Sequence, residues 1–373
     1  MTMKQLVLTT MLVLLLTACK GVKGSTTAVD ENRDSTITDA RLLAMDRQPG
    51  YTRVTVKDPW NEGKALHTYV LVPRDSVLPA ELPEGTVVRT PLQNALVYSA
   101  VHTSVMRELG AIDALGGVVD VQYFTDSAVV RDVEAGRLAD CGSSMNPTIE
   151  KVIEMNPDAI LLSPYQDAKY GQIESLNIPL IECADYMEFS PLGRAEWIKF
   201  YGELLGKRVQ ADSIYAEVKK QYLALKEQAA SVSHKPKVIT EMVISGIWDL
   251  PAGESYMAQM LKDAGGDYPW AGTKGSGSLK LDFNQVLDKA QDADIWLIKS
   301  FNIHTLADVK GAYSLNDSFK AFKENNVYAC DTYKSHFFEE FPFHPELLLR
   351  EYTYLFHPEL VGDYKLRYYE KMR

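Results

Sequence analysis

NPTIEKVIEMNPDAILLSPYQD, residues 146–167, spells a short helix, a sharp turn and a buried strand. Asn146 reads as an N-cap and Pro147 as the first helical residue, whose amide would be unpaired there anyway. Ile149, Val152 and Ile153 mark one apolar face at helical spacing. Asn156-Pro157-Asp158 stops the helix, because the residue before a proline is pushed out of the α region. Ala159-Ile160-Leu161-Leu162 is a short apolar run, read as a strand covered on both faces. Ser163-Pro164-Tyr165 then falls where an open α/β sheet presents its ligand crevice.

The pattern returns in residues 282–302, DFNQVLDKAQDADIWLIKSFN. Val286 and Leu287 echo Val152 and Ile153, Asp294 echoes Asp158, and the run 295–298 echoes the buried strand. The spacing is far longer than a solenoid period. It suggests two similar α/β lobes, although helix–turn–strand units recur in any α/β protein.

The 373 residues are enough for two domains of ordinary size. A net charge of −11 argues against a general nucleic-acid binder, which needs a basic face.

The N-terminus reads as a targeting segment. Met1-Thr2-Met3-Lys4 is a short basic region, and residues 6–16 form an apolar stretch too short to span a bilayer. Leu16-Thr17-Ala18-Cys19 resembles a bacterial lipobox, which implies cleavage of residues 1–18 and acylation of Cys19. Several acyl chains anchor stably where one does not. Residues 19–48 read as a lipidated tether, polar and weakly periodic. In lipoproteins that resemble those of the Bacteroidetes, an acidic run after the cysteine marks export to the cell surface; none follows Cys19, and that resemblance implies the periplasmic side of a bacterial membrane. Cys141, Cys183 and Cys330 remain. An odd number outside the cytoplasm allows one disulfide, Cys141–Cys183, or three buried thiols. No CxxC or His/Cys cluster suggests a zinc site.

Residues 49–188 read as an N-terminal lobe. It opens with a β-hairpin made from residues 51–56 and 66–72, and continues through strands at 87–90, 96–99 and 118–119 and a helix over 102–109 closed by Gly110. Residues 189–232 read as a connecting helical region. Within it Ala211, Ile214, Tyr215, Val218, Tyr222 and Leu225 recur at three- and four-residue steps, as in a spine joining two lobes. Residues 233–373 read as a C-terminal lobe with strands at 238–243, 295–298 and 327–330, the last strand, before terminal helices. Alternating strands and helices in both halves predict an α/β protein with largely parallel sheets.

Several pieces in fixed order resemble a known family: Glu108-Leu109-Gly110-Ala111; Ile149-Glu150-Lys151-Val152 with Asn156-Pro157-Asp158; Leu176-Asn177-Ile178-Pro179-Leu180; the spine; Ala264-Gly265-Gly266; residues 282–298; Asn326-Val327-Tyr328; and His357-Pro358-Glu359. Together they resemble the ABC-importer substrate-binding proteins for cobalamin, ferric siderophores and haem. The resemblance runs from about Thr86 to Leu360. It implies two Rossmann-like lobes joined by a single long spine helix, with the ligand in the cleft between them. It also implies a monomer that hands a metal chelate to an inner-membrane permease, with no cofactor and no catalysis. Family members dock through a carboxylate on each lobe. Glu150 matches the first, while Asn284 stands at the second, with Asp282 as a substitute.

A large flat ligand needs apolar walls with a few polar fixing points. Tyr123, Tyr165, Tyr186, Trp248, Trp270 and Phe337 fall where loops should line the cleft, and His102, His304 and His336 are candidate polar contacts. Each also has a plainer reading, as core, surface or capping residue. Residues 272–277, GTKGSG, lack the Lys-Ser/Thr ending of a phosphate loop and read as a flexible rim. The competing class is a lipid-anchored enzyme, a hydrolase or chelatase-like protein, on a similar two-lobed fold. No G-x-S-x-G elbow or HExxH supports it. A structural surface lipoprotein would need no paired-lobe cleft.

Overall fold

A computed structural model describes residues 37–373. The expected signal peptide, Cys19 and the expected tether up to residue 36 lie outside the described residues. The remainder of the expected tether is folded, which corrects the boundary at 48. Leu43–Gln48 is a strand, paired antiparallel with Tyr51–Lys57. The expected hairpin partner Ala65–Pro73 follows, and Thr86–Thr90 adds parallel to it, completing a four-stranded sheet.

The segment before that sheet is held by two buried carboxylates. Glu196, with no exposed surface, accepts the amides of Thr38, Asp39 and Ala40 at 2.6–3.0 Å. Glu188, equally buried, accepts those of Arg41 and Leu42 and the indole N–H of Trp197. An irregular strap has no ladder partner for its amides, so side chains must supply the acceptors.

The N-terminal lobe has a five-stranded parallel sheet in the order Leu180–Glu182, Ala159–Leu162, Ala95–Val97, Leu115–Val118, Ala139–Asp140. All four residues of Ala159–Leu162 are buried. Ala159 and Leu161 enter one core cluster and Ile160 and Leu162 another, because successive side chains point to opposite faces. The strand order reverses between Ala95–Val97 and Ala159–Leu162, and a doubly wound sheet opens a crevice at such a point. The helix of the organising stretch is Ile149–Met155 and begins later than expected. Asn146–Pro147 instead pairs with Gly142–Ser143 in a two-residue hairpin, and Thr148 takes the cap position.

Helices Pro191–Glu196 and Ile198–Leu204 lead into the spine, Arg208–Ala230. At 23 residues it is roughly 35 Å long. Its buried face serves both lobes: Ala211, Tyr215 and Val218 pack into the N-terminal core, and Tyr222 and Leu225 into the C-terminal core.

The C-terminal sheet runs Val238–Thr240, Ile295–Lys299, Val327–Cys330, Tyr369–Lys371. The first three strands are parallel. Tyr369–Lys371 adds antiparallel, so Val327–Cys330 is not the last strand. Asp282 caps the helix Phe283–Ala290 with a capping box through Gln285. A small antiparallel sheet, Val243–Ile244, Ile247–Pro251 and Ser278–Leu281, lies beside it. Cys141, Cys183 and Cys330 are free, buried thiols, so the Cys141–Cys183 disulfide is not formed.

Candidate functional site

The C-terminal ends of strands from both lobes meet at a cavity of about 390 Å³. Tyr98 and Ser99 follow the strand Ala95–Val97, and Asp120 and Tyr123 follow Leu115–Val118. From the other lobe come Phe301, after Ile295–Lys299, and Tyr333 with Phe338, after Val327–Cys330. Four aromatic rings stand open here: Tyr123 is 62% exposed, Phe301 58%, Phe338 48% and Tyr333 46%. Phe301 and Tyr333 pack edge to face at 5.3 Å. Large rings left in solvent on facing walls are apolar area awaiting a partner.

A second hollow of about 420 Å³ shares Tyr98 and lies at the crevice where the N-terminal strand order reverses. Tyr165, half-exposed, lines it with Tyr170, Met145 and Lys169. The Tyr98 hydroxyl lies buried between the two hollows with no hydrogen-bond partner. Burial, with Cys141 and Asp120 nearby, pushes its pKa up to about 12, so it remains a neutral donor.

The expected aromatic walls are only partly the observed ones. Tyr123 and Tyr165 line cavities. Tyr186 is half-buried, its hydroxyl committed to the carbonyl of Pro164. Trp248 is a correction: it is fully buried, stacked on Trp296 at 5.7 Å, and its indole N–H bonds the Thr240 carbonyl at 2.9 Å. Trp270 is 4% exposed, packed on Tyr268 with the Lys289 ammonium 5.4 Å from its ring. Phe337 is also core, while its neighbour Phe338 faces the cavity. His102 is buried against Tyr201 and cannot touch a ligand in the cleft. Burial, only partly offset by Asp185, lowers its pKa to about 4, so it is neutral. His304 is exposed and lines neither hollow. His336 is exposed at the edge, its Nδ1 2.9 Å from the Thr125 hydroxyl of the opposite lobe. Residues 272–277 are no loose rim: Glu254 accepts the Gly275 amide at 2.8 Å, and Thr273 accepts that of Gly253.

Polar contacts tie the lobes across the cleft floor. Glu339 accepts the Thr125 hydroxyl. Arg194 is buried, paired with Asp185 at 3.0 Å and bonded to the Tyr256 hydroxyl, its guanidinium between the rings of Tyr256 and Phe341. His344 bridges Glu108 at 2.6 Å and Glu346 at 3.0 Å. Burial opposes its charge, but the hydrogen bonds and charges of the two carboxylates outweigh it and raise the pKa from 6.5 to about 10. A raised histidine pKa stabilises fully below the unfolded value and loses that contribution as pH rises through the folded one. The stability difference between the wild type and His344→Gln should therefore be largest near pH 6 and shrink as pH approaches 10. Denaturant melts at several pH values measure it, and a difference independent of pH would contradict the bridge.

A family model described as periplasmic binding protein matches residues 99–333.

This chain belongs to the periplasmic binding protein family.

The matched span of this periplasmic binding protein runs from the first cavity residues to Tyr333. Among relatives, an uncharacterized lipoprotein of Methanocaldococcus jannaschii is 27% identical over 261 residues, covering 66% of this chain and 61% of that protein. A second uncharacterized lipoprotein of that organism is 22% identical, covering 84% of each. Among solved structures, a periplasmic haem-binding protein from Pseudomonas aeruginosa superposes with a TM-score of 0.59 at 12% identity, covering 75% of this chain and 98% of that one. A TroA-like periplasmic binding protein from Veillonella parvula gives 0.57 at 15% identity, covering 76% and 96%. At such identities the structural likeness shows the fold. Among the described residues no helix is long and apolar enough to cross a membrane, and no group of three or more His, Cys, Asp or Glu could hold a metal ion.

Proposed function

We propose that this protein is the solute-binding component of an ABC importer, and that it captures a metal chelate in the cleft between its lobes. The observation that carries the reading is the cavity of about 390 Å³ walled by four exposed aromatic rings from two lobes. A planar or globular chelate buries its apolar faces on such rings at little entropy cost. An iron chelate, haem or a corrinoid all fit this description. Two structural neighbours are described as a haem-binding protein and as part of an Fe3+-hydroxamate transport system, which supports the chelate class. Absorbance and native mass spectrometry of protein purified from its own host test the reading. A bound chromophore of one of these classes is the expected result. Apo protein that also fails to bind haem, a corrinoid and a ferric hydroxamate would overturn it.

Delivery to a permease follows from the same reading. Glu150 is exposed in the first turn of Ile149–Met155, where the helix dipole tolerates a negative charge, and is free to meet an arginine. Asp282 is exposed but committed to its capping box, and Asn284 is exposed and neutral. The dock is therefore unequal. Glu150→Ala should impair transport in reconstituted vesicles while leaving ligand affinity in solution intact, and Asn284→Ala should do much less. Normal transport by Glu150→Ala would reject this role. Anchoring through Cys19 is proposed on the lipobox alone. Cys19→Ala should lose labelling by radioactive palmitate and enter the soluble fraction, and retained labelling would remove the assignment.

A further inference from the structure

The charge of the cleft narrows the ligand class, granted the chelate reading above. Two carboxylate side chains stand on the interlobe lining, Asp120 from the N-terminal lobe and Glu339 from the C-terminal lobe. No lysine or arginine lies among the described lining residues.

Neither carboxylate is neutralised by a cation among the described residues. Asp120 accepts the Ser144 amide at 3.1 Å and the Gln122 side-chain amide at 3.4 Å. Glu339 accepts the Thr125 hydroxyl. These donors are uncharged, so no cation is paired with either carboxylate through them. The basic groups nearby are engaged elsewhere. Arg107 is paired with Asp126, Lys334 with Asp331 at 3.1 Å, and Lys299, half-buried, with Glu241. Lys169 stands in the adjacent hollow, exposed, on the far side of Tyr98. His336 touches the edge through the Thr125 hydroxyl. The remaining walls are Tyr123, Phe301, Tyr333 and Phe338, whose ring faces are themselves the negative end of a quadrupole and attract cations.

We propose that the cleft selects neutral or cationic metal chelates over polyanionic ones, through Asp120 and Glu339 acting from opposite lobes on a ligand held between four aromatic rings. A polyanionic chelate would bring its charge against two unneutralised carboxylates in a partly desolvated space, where like charges repel more strongly than in water. A monocationic chelate of the same metal and size meets attraction from both sides.

Two iron chelates of opposite charge test this with the full-length protein in detergent: a ferric trihydroxamate carrying one protonated amine, and a trianionic ferric tris-catecholate. Both are titrated by tryptophan and tyrosine fluorescence at low and high salt. The wild type should bind the cation more tightly by at least about tenfold at low salt, a free-energy difference of about 1.4 kcal/mol. The preference should shrink as salt screens the carboxylates. In the double variant Asp120→Asn, Glu339→Gln the two affinities should converge. Asparagine suits the left-handed backbone at position 120, φ 51°, so the exchange removes charge without straining the turn. Equal or tighter binding of the trianion by the wild type would overturn the proposal, as would a preference that survives in the double variant. Failure of both chelates, haem and a corrinoid to bind would overturn the chelate reading beneath it.

Discussion

Replacing Trp248 with alanine will destabilise the C-terminal lobe by about 3–5 kcal/mol, the scale for deleting a buried tryptophan. The ring is fully enclosed between Trp296, Phe283 and Phe319, at centroid distances of 5.7, 6.2 and 5.6 Å. Its removal leaves a void in a cluster that also packs the central strand Ile295–Lys299. The Thr240 carbonyl loses its indole donor in the same step. Trp248→Phe fills most of the space without that hydrogen bond and should cost less. Denaturant melts compare the two. A Trp248→Ala protein as stable as the wild type but deficient in ligand binding would return this residue to the cleft wall.

The second large effect is at Glu196. Its carboxylate collects three consecutive amides of the strap before the first strand, and also bonds the Lys199 ammonium at 2.7 Å. Glu196→Ala removes the acceptor from these part-buried amides and leaves the buried Lys199 ammonium without this carboxylate, and cutting one partner out of a buried charged pair costs about 3–5 kcal/mol. Glu196→Gln keeps an oxygen acceptor and should lose less. Release of the strap should also expose new cleavage sites near residues 37–42 to limited proteolysis. Unchanged stability and an unchanged digestion pattern in Glu196→Ala would show that the strap is held by other contacts.

The two-lobed plan was legible because periodicity reports burial. The four-residue run at 159–162 and its echo at 295–298 read best as strands covered on both faces, and both are buried strands. The spine was legible from three- and four-residue steps, and the same steps divide between the two cores. The walls of the site were less so, because an aromatic residue after a strand points either way. Residues 247–250 held a usable signal. Ile247 and Asp249 alternate with Trp248 and Leu250, and alternation on a strand sends the second pair to one face, here the core. At 337–338 two adjacent phenylalanines offered no such guide. The short helix Phe337–Glu340 turns about 100° between them, so one enters the core and the other the cleft. Phe301 and Tyr333 were missed because loop positions carry no period at all. The strap at 37–42 looked like tether because its burial depends on Glu188 and Glu196, about 150 residues away in the chain, a pairing that no local pattern encodes.

The central claim is that one ligand is held by both lobes at once. Hydrogen–deuterium exchange of the full-length protein, with and without the chelate that co-purifies or binds in titration, measures this directly. Protection should appear together in peptides spanning residues 120–125 and 332–339, with the spine largely unchanged. Protection confined to one lobe, or centred on a separate hollow that Gly206, Arg208 and Ile214 line at the start of the spine, would contradict the account.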